Sequence, residues 1–489
     1  MVSEESSLVQ LKTGTKHLEQ KQIHQKTELK KIFLVSTSSK YLLDKDLTSY
    51  SFALGYLSGC LPKGKYDIEV QDAYCEKWET GRKKFIKILE TFKPDVVGFN
   101  MITMNRWTTY EAVRIIKEKL PNTKILVGGC HATIMWKQLL ENFPFDAVVI
   151  GEGEITFPEL LDALENGKDL RIIDGIAFKE NGEIIKNQPR KLVEDLDTLP
   201  SVNNDYFLNE NSKVAFMLTS RGCPHLCSFC STSLHWERRC RSMSAKAVLD
   251  EIERVLEKYP KVEEVRFMDD VFTIDNGRVI EICKGMIERK FNLKWRCSGR
   301  VYPISAEMIR WMEKAGCIMI GFGVETGSQK LLDQLGKAAK VEQIIEAYKT
   351  IYENSTKIVP DTYLIVGLPG EDENTVNETI EMIKKINKIG KRPLFLTSAR
   401  ILEIYPGTRL YGIAKSRGMV DDDFWIKSDD TPKFREHTDK WLKKQRRKIL
   451  IANWTSSGVM PVAKIIWERK MWKPRKIWNI VAPYMRKVN

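Results

Sequence analysis

The sequence predicts an α/β protein: an N-terminal doubly wound, Rossmann-like unit, then a full or partial (β/α) barrel, then a helical tail. Three observations predict it. Short apolar runs alternate with stretches of helical apolar spacing, as buried parallel strands alternate with their crossover helices. The alternation occurs twice, over residues 30–165 and 211–431, with a turn-rich stretch between. The chain of 489 residues, 43% of them hydrophobic, is too long for one core and too apolar for a disordered chain.

Residues 1–29 are polar, with few aromatic or β-branched residues, and are expected to form a mobile arm. KIFLVSTSS, from Lys31, is an apolar run ended by small polar residues, as at the C-terminal end of a buried strand. LTSYSFALGYLSGCLP has helical apolar spacing and stops at a proline. YDIEVQDA, PDVVGFNMIT, TKILVGGCHAT and FDAVVIGEGE are further strands, with TYEAVRIIKEKLP a helix among them. Ligands of such sheets bind beyond the strand C-termini. Those ends are Thr37, Asp72, Thr103, Gly128–Gly129 and Gly151–Glu152. Residues 166–210 read as a linker containing a hairpin around Asn181–Gly182. KVAFMLTSRGC opens the second series of strands, which continues through VEEVRFMDD, LKWRCSGR, CIMIGFGVETG, VPDTYLIVGLPG and PLFLTSARILEIYPGT. Helical stretches such as VLDEIERVLEKYP and AEMIRWMEKAG separate these strands, so a barrel fits.

The charge is uneven. Residues 432–489 carry 16 Lys+Arg against 3 Asp+Glu, so this tail accounts for the whole net charge of +13. It also holds Trp441, Trp454, Trp467, Trp472 and Trp478. Basic residues interleaved with tryptophan suit a helix lying on a membrane surface. Packing onto the barrel mouth and a nucleic-acid surface are the rival readings. The N-terminus lacks an apolar signal region and no uncharged apolar run reaches about 18 residues, so a cytoplasmic protein is expected.

Of the ten cysteines, Cys223, Cys227 and Cys230 fall within SRGCPHLCSFCSTS; the other seven are scattered. Three thiolates on one loop can hold three irons of a [4Fe–4S] cube and leave the fourth iron open, as a catalytic centre requires. A structural zinc site wants four ligands, and neither His225 nor His235 gives a zinc-ribbon spacing.

This C-x3-C-x2-C loop after the first strand of a βα series resembles the radical S-adenosylmethionine (SAM) superfamily. The resemblance extends over roughly 210–410. Phe229 is similar to the aromatic residue that packs near the adenine of SAM. Asp269 and Asp270, in RFMDDVFT, stand at the strand end that meets its amino group. Glu325, in GFGVETG, resembles the acceptor for the ribose hydroxyls, and YLIVGLPGE, with Ile365 and Gly367, resembles the turn beside the adenine. The N-terminal half resembles cobalamin-binding domains through GFNMIT with Thr103, GGCHAT with Gly128 and Gly129, and VVIGEGE with Glu152. It departs from the methionine-synthase type: STSSKYLLDKD replaces the D-x-H-x-x-G loop that supplies a lower axial histidine. Methylthiotransferases of tRNA also place an α/β domain before this barrel, but LSGCLP, DAYCEK and GGCHA do not resemble their cluster sites.

The resemblance implies three cofactors: a [4Fe–4S] cluster on the three cysteines, SAM and cobalamin. It implies cleavage of SAM to a 5′-deoxyadenosyl radical, driven by an external reductant of flavodoxin or ferredoxin type. Methylation of an unactivated carbon on an apolar small-molecule or lipid substrate is the leading expectation. A radical cyclase like that of chlorophyll biosynthesis is the alternative, and a non-catalytic cobalamin sensor is a third. Peripheral contact with the inner membrane face through the tail belongs to the first reading, and nucleic acid is not expected as a partner.

Overall fold

The computed structural model describes residues 29–39, 50–390 and 395–457. In chain order the first unit comprises β1 (Lys31–Ser36), α1 (Phe52–Cys60), β2 (Asp67–Asp72), α2 (Trp78–Phe92), β3 (Val96–Asn100), α3 (Arg106–Lys119), β4 (Lys124–Gly128), α4 (Cys130–Asn142), β5 (Ala147–Val149) and α5 (Thr156–Asn166). β6 (Ile176–Glu180) and β7 (Glu183–Lys186) follow. The strands form one seven-stranded sheet in the order β2-β1-β3-β4-β5-β6-β7. β1 to β5 are parallel, and Phe33, Val97, Val127 and Val148 are buried beneath the helices, which explains their unbroken apolar runs.

The hairpin expected in the linker belongs to this sheet. β6 pairs antiparallel with β5, and β7 with β6. Asn181 (φ 51°) and Gly182 (φ 85°) are both left-handed, the turn whose twist matches paired strands. Ile176, Ala177 and Phe178 are buried against the sheet, so a unit ending at 165 would cut through its own core.

The second unit begins with β8 (Val214–Met217), β9 (Ser220–Arg221), α6 (Thr232–His235), β10 (Arg241–Ser242), α7 (Ala245–Lys258), β11 (Glu264–Phe267), α8 (Asn276–Glu288), β12 (Lys294–Gly299), α9 (Ala306–Lys314) and β13 (Cys317–Glu325). It continues with α10 (Gln329–Leu335), α11 (Val341–Asn354), β14 (Val359–Val366), α12 (Glu373–Ile389), β15 (Phe395–Ile401), α13 (Arg409–Ser416), α14 (Phe424–Lys427) and α15 (Asp439–Ser457). Six strands run parallel in the order β8-β11-β12-β13-β14-β15, and among the described residues nothing joins β8 to β15. The barrel is therefore partial. The face carrying Val265, Phe267, Trp295, Phe322 and Val366 is buried against α7, α8, α9, α11 and α12. All strand C-termini point to one end, where the site lies.

The tail departs from the membrane-surface expectation as far as it is described. Leu442, Gln445 and Ile449, spaced on one helical face, are buried as α15 packs along α12 and β15. Glu373 on α12 accepts hydrogen bonds from Lys444, Gln445 and Lys448, so charges that look like membrane anchors serve packing. Trp441 stacks on His437 with ring centroids 3.7 Å apart. Trp467, Trp472 and Trp478 lie outside the described residues. Among the described residues no helix is long and apolar enough to cross a membrane.

Candidate active site between the two units

The cysteine loop runs from β9 to α6 and is pinned on both sides. Ser228 N–H donates to Leu335 O (2.8 Å), Leu410 N–H donates to Ser228 O (2.8 Å), and Cys230 N–H donates to Cys227 O (3.0 Å). The three thiols are free and half-buried. Burial pushes the Cys223 and Cys227 thiols up, while the Arg300 cation draws both back down, with Lys337 acting also on Cys227. Cys230 is close enough to interact electrostatically with both. Among the described residues no three His, Cys, Asp or Glu groups converge on one point fit for a single ion. Donors spread along one loop suit a multi-iron cube better than one zinc, whose ligands meet at about 2.3 Å from a common centre. The residues present fit a cluster held by Cys223, Cys227 and Cys230.

The two aspartates after β11 have different surroundings. Asp269 is buried, and its carboxylate accepts from Thr219 N–H (2.8 Å), Ser220 Oγ (2.7 Å) and Thr219 Oγ1 (3.1 Å). Burial pushes it up despite these bonds and the Arg278 charge. Its oxygens bond the backbone and hydroxyls of the approach to the cysteine loop, so it supports that loop. Asp270 accepts from Gly222 N–H (3.1 Å) and Thr232 Oγ1 (3.3 Å) at the mouth. Glu325 is buried at φ 67°, its Oε1 2.7 Å from Lys337 Nζ. A Cβ at Gly323 would lie 2.5 Å from Glu325 Oε1 and 3.0 Å from Lys337 Nζ, so this glycine makes room for the pair. Arg300 donates to Lys337 O (2.7 Å).

Phe229 and Ile365 pack against one apolar cluster with Leu331, Leu335, Leu368 and Leu410. Gly367 (φ 91°) follows β14, and a Cβ there would lie 2.8 Å from Leu442 Cδ2, so α15 covers this turn. Gly367 N–H donates to Glu371 Oε2 (2.5 Å), and burial raises the Glu371 carboxyl to about 7.

At the first sheet Thr37 Oγ1 lies 2.7 Å from Thr109 Oγ1, and Thr103 Oγ1 lies 3.1 Å from His131 Nδ1. His131 is fully buried edge-on to Trp425, and burial, then the Arg106 charge, lowers it to about 3. It is not presented as an axial ligand. Gly129 (φ 97°) abuts its own unit: a Cβ would lie 2.6 Å from Met101 O and from Asn100 Oδ1. The close approach at Gly129 is to the loop after β3. Gly128 has only ordinary contacts, and a Cβ at Gly151 would meet nothing within 4 Å. Cys130 is exposed and interacts electrostatically with Asp270 of the second unit. Gly151 thus faces free space and Cys130 lies on the side of Asp270, which fits cobalamin bound without a histidine ligand.

Glu152, expected among the cofactor contacts, has both oxygens engaged. Its Oε1 accepts from Arg221 Nη1 (2.6 Å) and Arg241 Nη2 (3.0 Å), and its Oε2 accepts from Val193 N–H (2.7 Å) and Arg241 Nη1 (3.1 Å). Burial alone would raise its carboxyl, but the Arg241 hydrogen bonds and the Arg221 charge hold it below the usual range. Glu152 thus joins the units. Arg221, Arg241, Glu154 and Lys337 were not singled out from sequence. VVIGEGE and SRGC both drew notice for other reasons, and the signal that joins them is opposite charge beside two glycine-bearing loops.

The model of the radical SAM superfamily matches residues 217–383, and that of the B12 binding domain matches residues 46–161. An uncharacterized methyltransferase of Pyrococcus horikoshii is 30% identical over 414 residues, covering 83% of this chain and 88% of that protein. The anaerobic magnesium-protoporphyrin IX monomethyl ester cyclase of Rubrivivax gelatinosus is 32% identical over 348 residues, covering 68% of this chain and 62% of that protein. The solved structure of the radical SAM methyltransferase TsrM from Kitasatospora setae shares the fold, with a TM-score of 0.65 at 18% identity over 80% of this chain and 77% of its own. Fold and site thus define an enzyme with a cluster-bearing partial barrel behind a nucleotide-type α/β unit. The chain belongs to the radical SAM superfamily, in its cobalamin-binding class, and its cofactors are a [4Fe–4S] cluster, SAM and cobalamin.

Proposed function

We propose that this enzyme is a cobalamin-dependent methyltransferase that methylates carbon on an apolar small molecule. The observation that carries the reading is the full-length match, 83% of this chain and 88% of the partner, to a protein named as a methyltransferase. Leu226, Leu234, Met268 and Tyr302 support the substrate class. They are large, exposed hydrophobic residues on the cysteine loop, on α6 and at the ends of β11 and β12, and such a rim favours an apolar ligand. When bound, the cluster and SAM supply one-electron bond cleavage, and cobalamin supplies a methyl carrier.

The chain's own residues then divide the work. Cys223, Cys227 and Cys230 hold the cluster. Phe229, Ile365 and Gly367 would supply an apolar side for the adenine of SAM. Glu325, oriented by Lys337, would accept from the ribose hydroxyls, and Asp270 would meet the amino group. Asp269 holds Thr219 and Ser220 in place behind the loop. Thr103, Gly128 and Gly129 shape the first unit's strand ends beneath cobalamin. An external one-electron donor completes the system.

The cyclase reading keeps its own support in the 32% identity to the Rubrivivax gelatinosus enzyme, although the chain spans only 62% of that protein. The deciding experiment incubates the anaerobically reconstituted enzyme with SAM, cobalamin, reductant and lipid extracts. S-adenosylhomocysteine formed alongside 5′-deoxyadenosine is expected. 5′-Deoxyadenosine alone, in the presence of a consumed substrate, would replace methyl transfer by cyclisation.

A further inference from the structure

Among the contacts that join the units, two are buried arginine networks. In one, Arg106 at the start of α3 donates to Trp425 O (3.2 Å), Ser428 O (2.6 Å) and Asp430 O (2.6 Å), far along the chain from the cysteines. The other acts on the cysteine loop itself. Glu152 and Glu154, on the loop after β5, meet Arg221 of β9 and Arg241 of β10. Arg221 Nη2 lies 2.5 Å from Glu154 Oε1, and no side chain of the four is more than 10% exposed. The Arg221 guanidinium sits 4.9 Å from the Tyr56 ring and 5.9 Å from the Trp236 ring, and Arg241 lies 5.4 Å from the same Trp236.

Arg221 precedes Cys223 by two residues. Gly222, between them, has φ 94°, and a Cβ there would fall 2.1 Å from Arg239 O, so the chain has one path into the loop. The β9–β10 ladder pairs only two residues on each strand, too few to hold its shape unaided. Two carboxylates and two guanidiniums balance in charge. Parting them would leave charge buried and unpaired, so the interface has a single favourable register. On the first unit the same loop carries Gly151 at the open strand end, immediately before Glu152.

We infer that Glu152, Glu154, Arg221 and Arg241 are positioning residues that set the separation between the cobalamin carried on the first unit and the cluster carried on the second. The inference rests on this chain binding both cofactors and is independent of methyl transfer. The test uses full-length protein with its cluster reduced and with bound cobalamin in the cob(II)alamin state. Pulsed electron paramagnetic resonance then reads the distance between the two spins. The wild type is expected to give one narrow distribution. Glu154→Gln and Arg241→Met should each shift or broaden it by at least about 1 Å, a misplacement that can cost on the order of 100-fold in rate. Glu165→Gln, which removes the partner of Lys65 in a surface pair of the first unit, should leave it unchanged. If Arg241→Met does not fold, Glu154→Gln decides, because it keeps the volume and a hydrogen-bond acceptor for Arg221. A residue that merely stabilises the fold would lower the melting temperature without moving the distance. Bound cobalamin at an unchanged distance in both variants overturns the inference alone, and absence of bound cobalamin overturns the cofactor content with it.

Discussion

The hydroxyl side chains at the strand ends of the first sheet bond within their own unit, whereas the thiols at the strand ends of the second stand free. In the first, Thr37, Thr103, Thr108, Thr109 and His131 hydrogen-bond with one another and with nearby carbonyls. In the second, three thiols stand free, and Arg300 and Lys337 stand close enough to act on them. The contrast teaches how each unit meets a ligand. A rim bonded largely to its own unit, with His131 Nε2 and Ser38 Oγ left without partners, offers shape and small residues, suited to a broad planar ring. An open rim offers coordination and charge, suited to iron and to a charged amino acid.

The comparison can be broken in three places. The largest effect is expected at the cysteines: Cys223→Ala, Cys227→Ala and Cys230→Ala should each reduce SAM cleavage below detection, whereas Cys60→Ala should leave the iron content unchanged. Full turnover in any one of the three variants would remove the cluster from this loop. Next, Gly129→Val should destabilise the cofactor-free protein by about 4 kcal/mol, because it combines backbone strain with overlap against Met101 O. An unchanged melting temperature with lost cobalamin binding would return Gly129 to direct contact with the cofactor.

The smallest of the three effects tests the cost of an open rim. Burial raises Glu371 to about 7, so the folded protein holds this proton more tightly than the unfolded chain does. The stability it contributes is present at low pH and is lost as pH rises from the ordinary carboxylate range through about 7. Glu371→Gln should therefore match the wild type near pH 4 and exceed it by about 3 kcal/mol at pH 8, in denaturant titrations. Parallel curves for the two proteins across that range would show that Glu371 is not a buried acid.

What could be read in the sequence follows the same contrast. The cysteine loop was legible because few chemistries need three thiols at that spacing, and the partial barrel was legible from its repeated strand and helix signals. The interdomain role of Glu152 was not legible: a glycine-flanked acid at a strand end looks like a ligand contact, and only the fold brings Arg241 to it from 89 positions away. Asp269 and Asp270 are adjacent and chemically identical in the sequence, but in the loop after β11 one is buried and the other lies at the mouth. The tail misled because a helix rich in lysine and arginine shows its charges and hides its stripe. Leu442, Gln445 and Ile449 form a narrow face that the charge count does not reveal.

The sheet of the second unit ends at β8 on one side and at β15 on the other, with no strand joining them among the described residues. A closed cylinder sets an upper limit on what can enter, because everything must pass through its mouth and fit its bore. A sheet with a seam sets no such limit where no other element lies across it, and α15 lies along the β15 side. A long molecule can lie along the opening with one reacting carbon inside and the remainder outside, so the size of the reacting group and the size of the whole substrate are separate constraints. Extension of a substrate at the end remote from its reacting carbon should therefore be tolerated far better than branching beside that carbon.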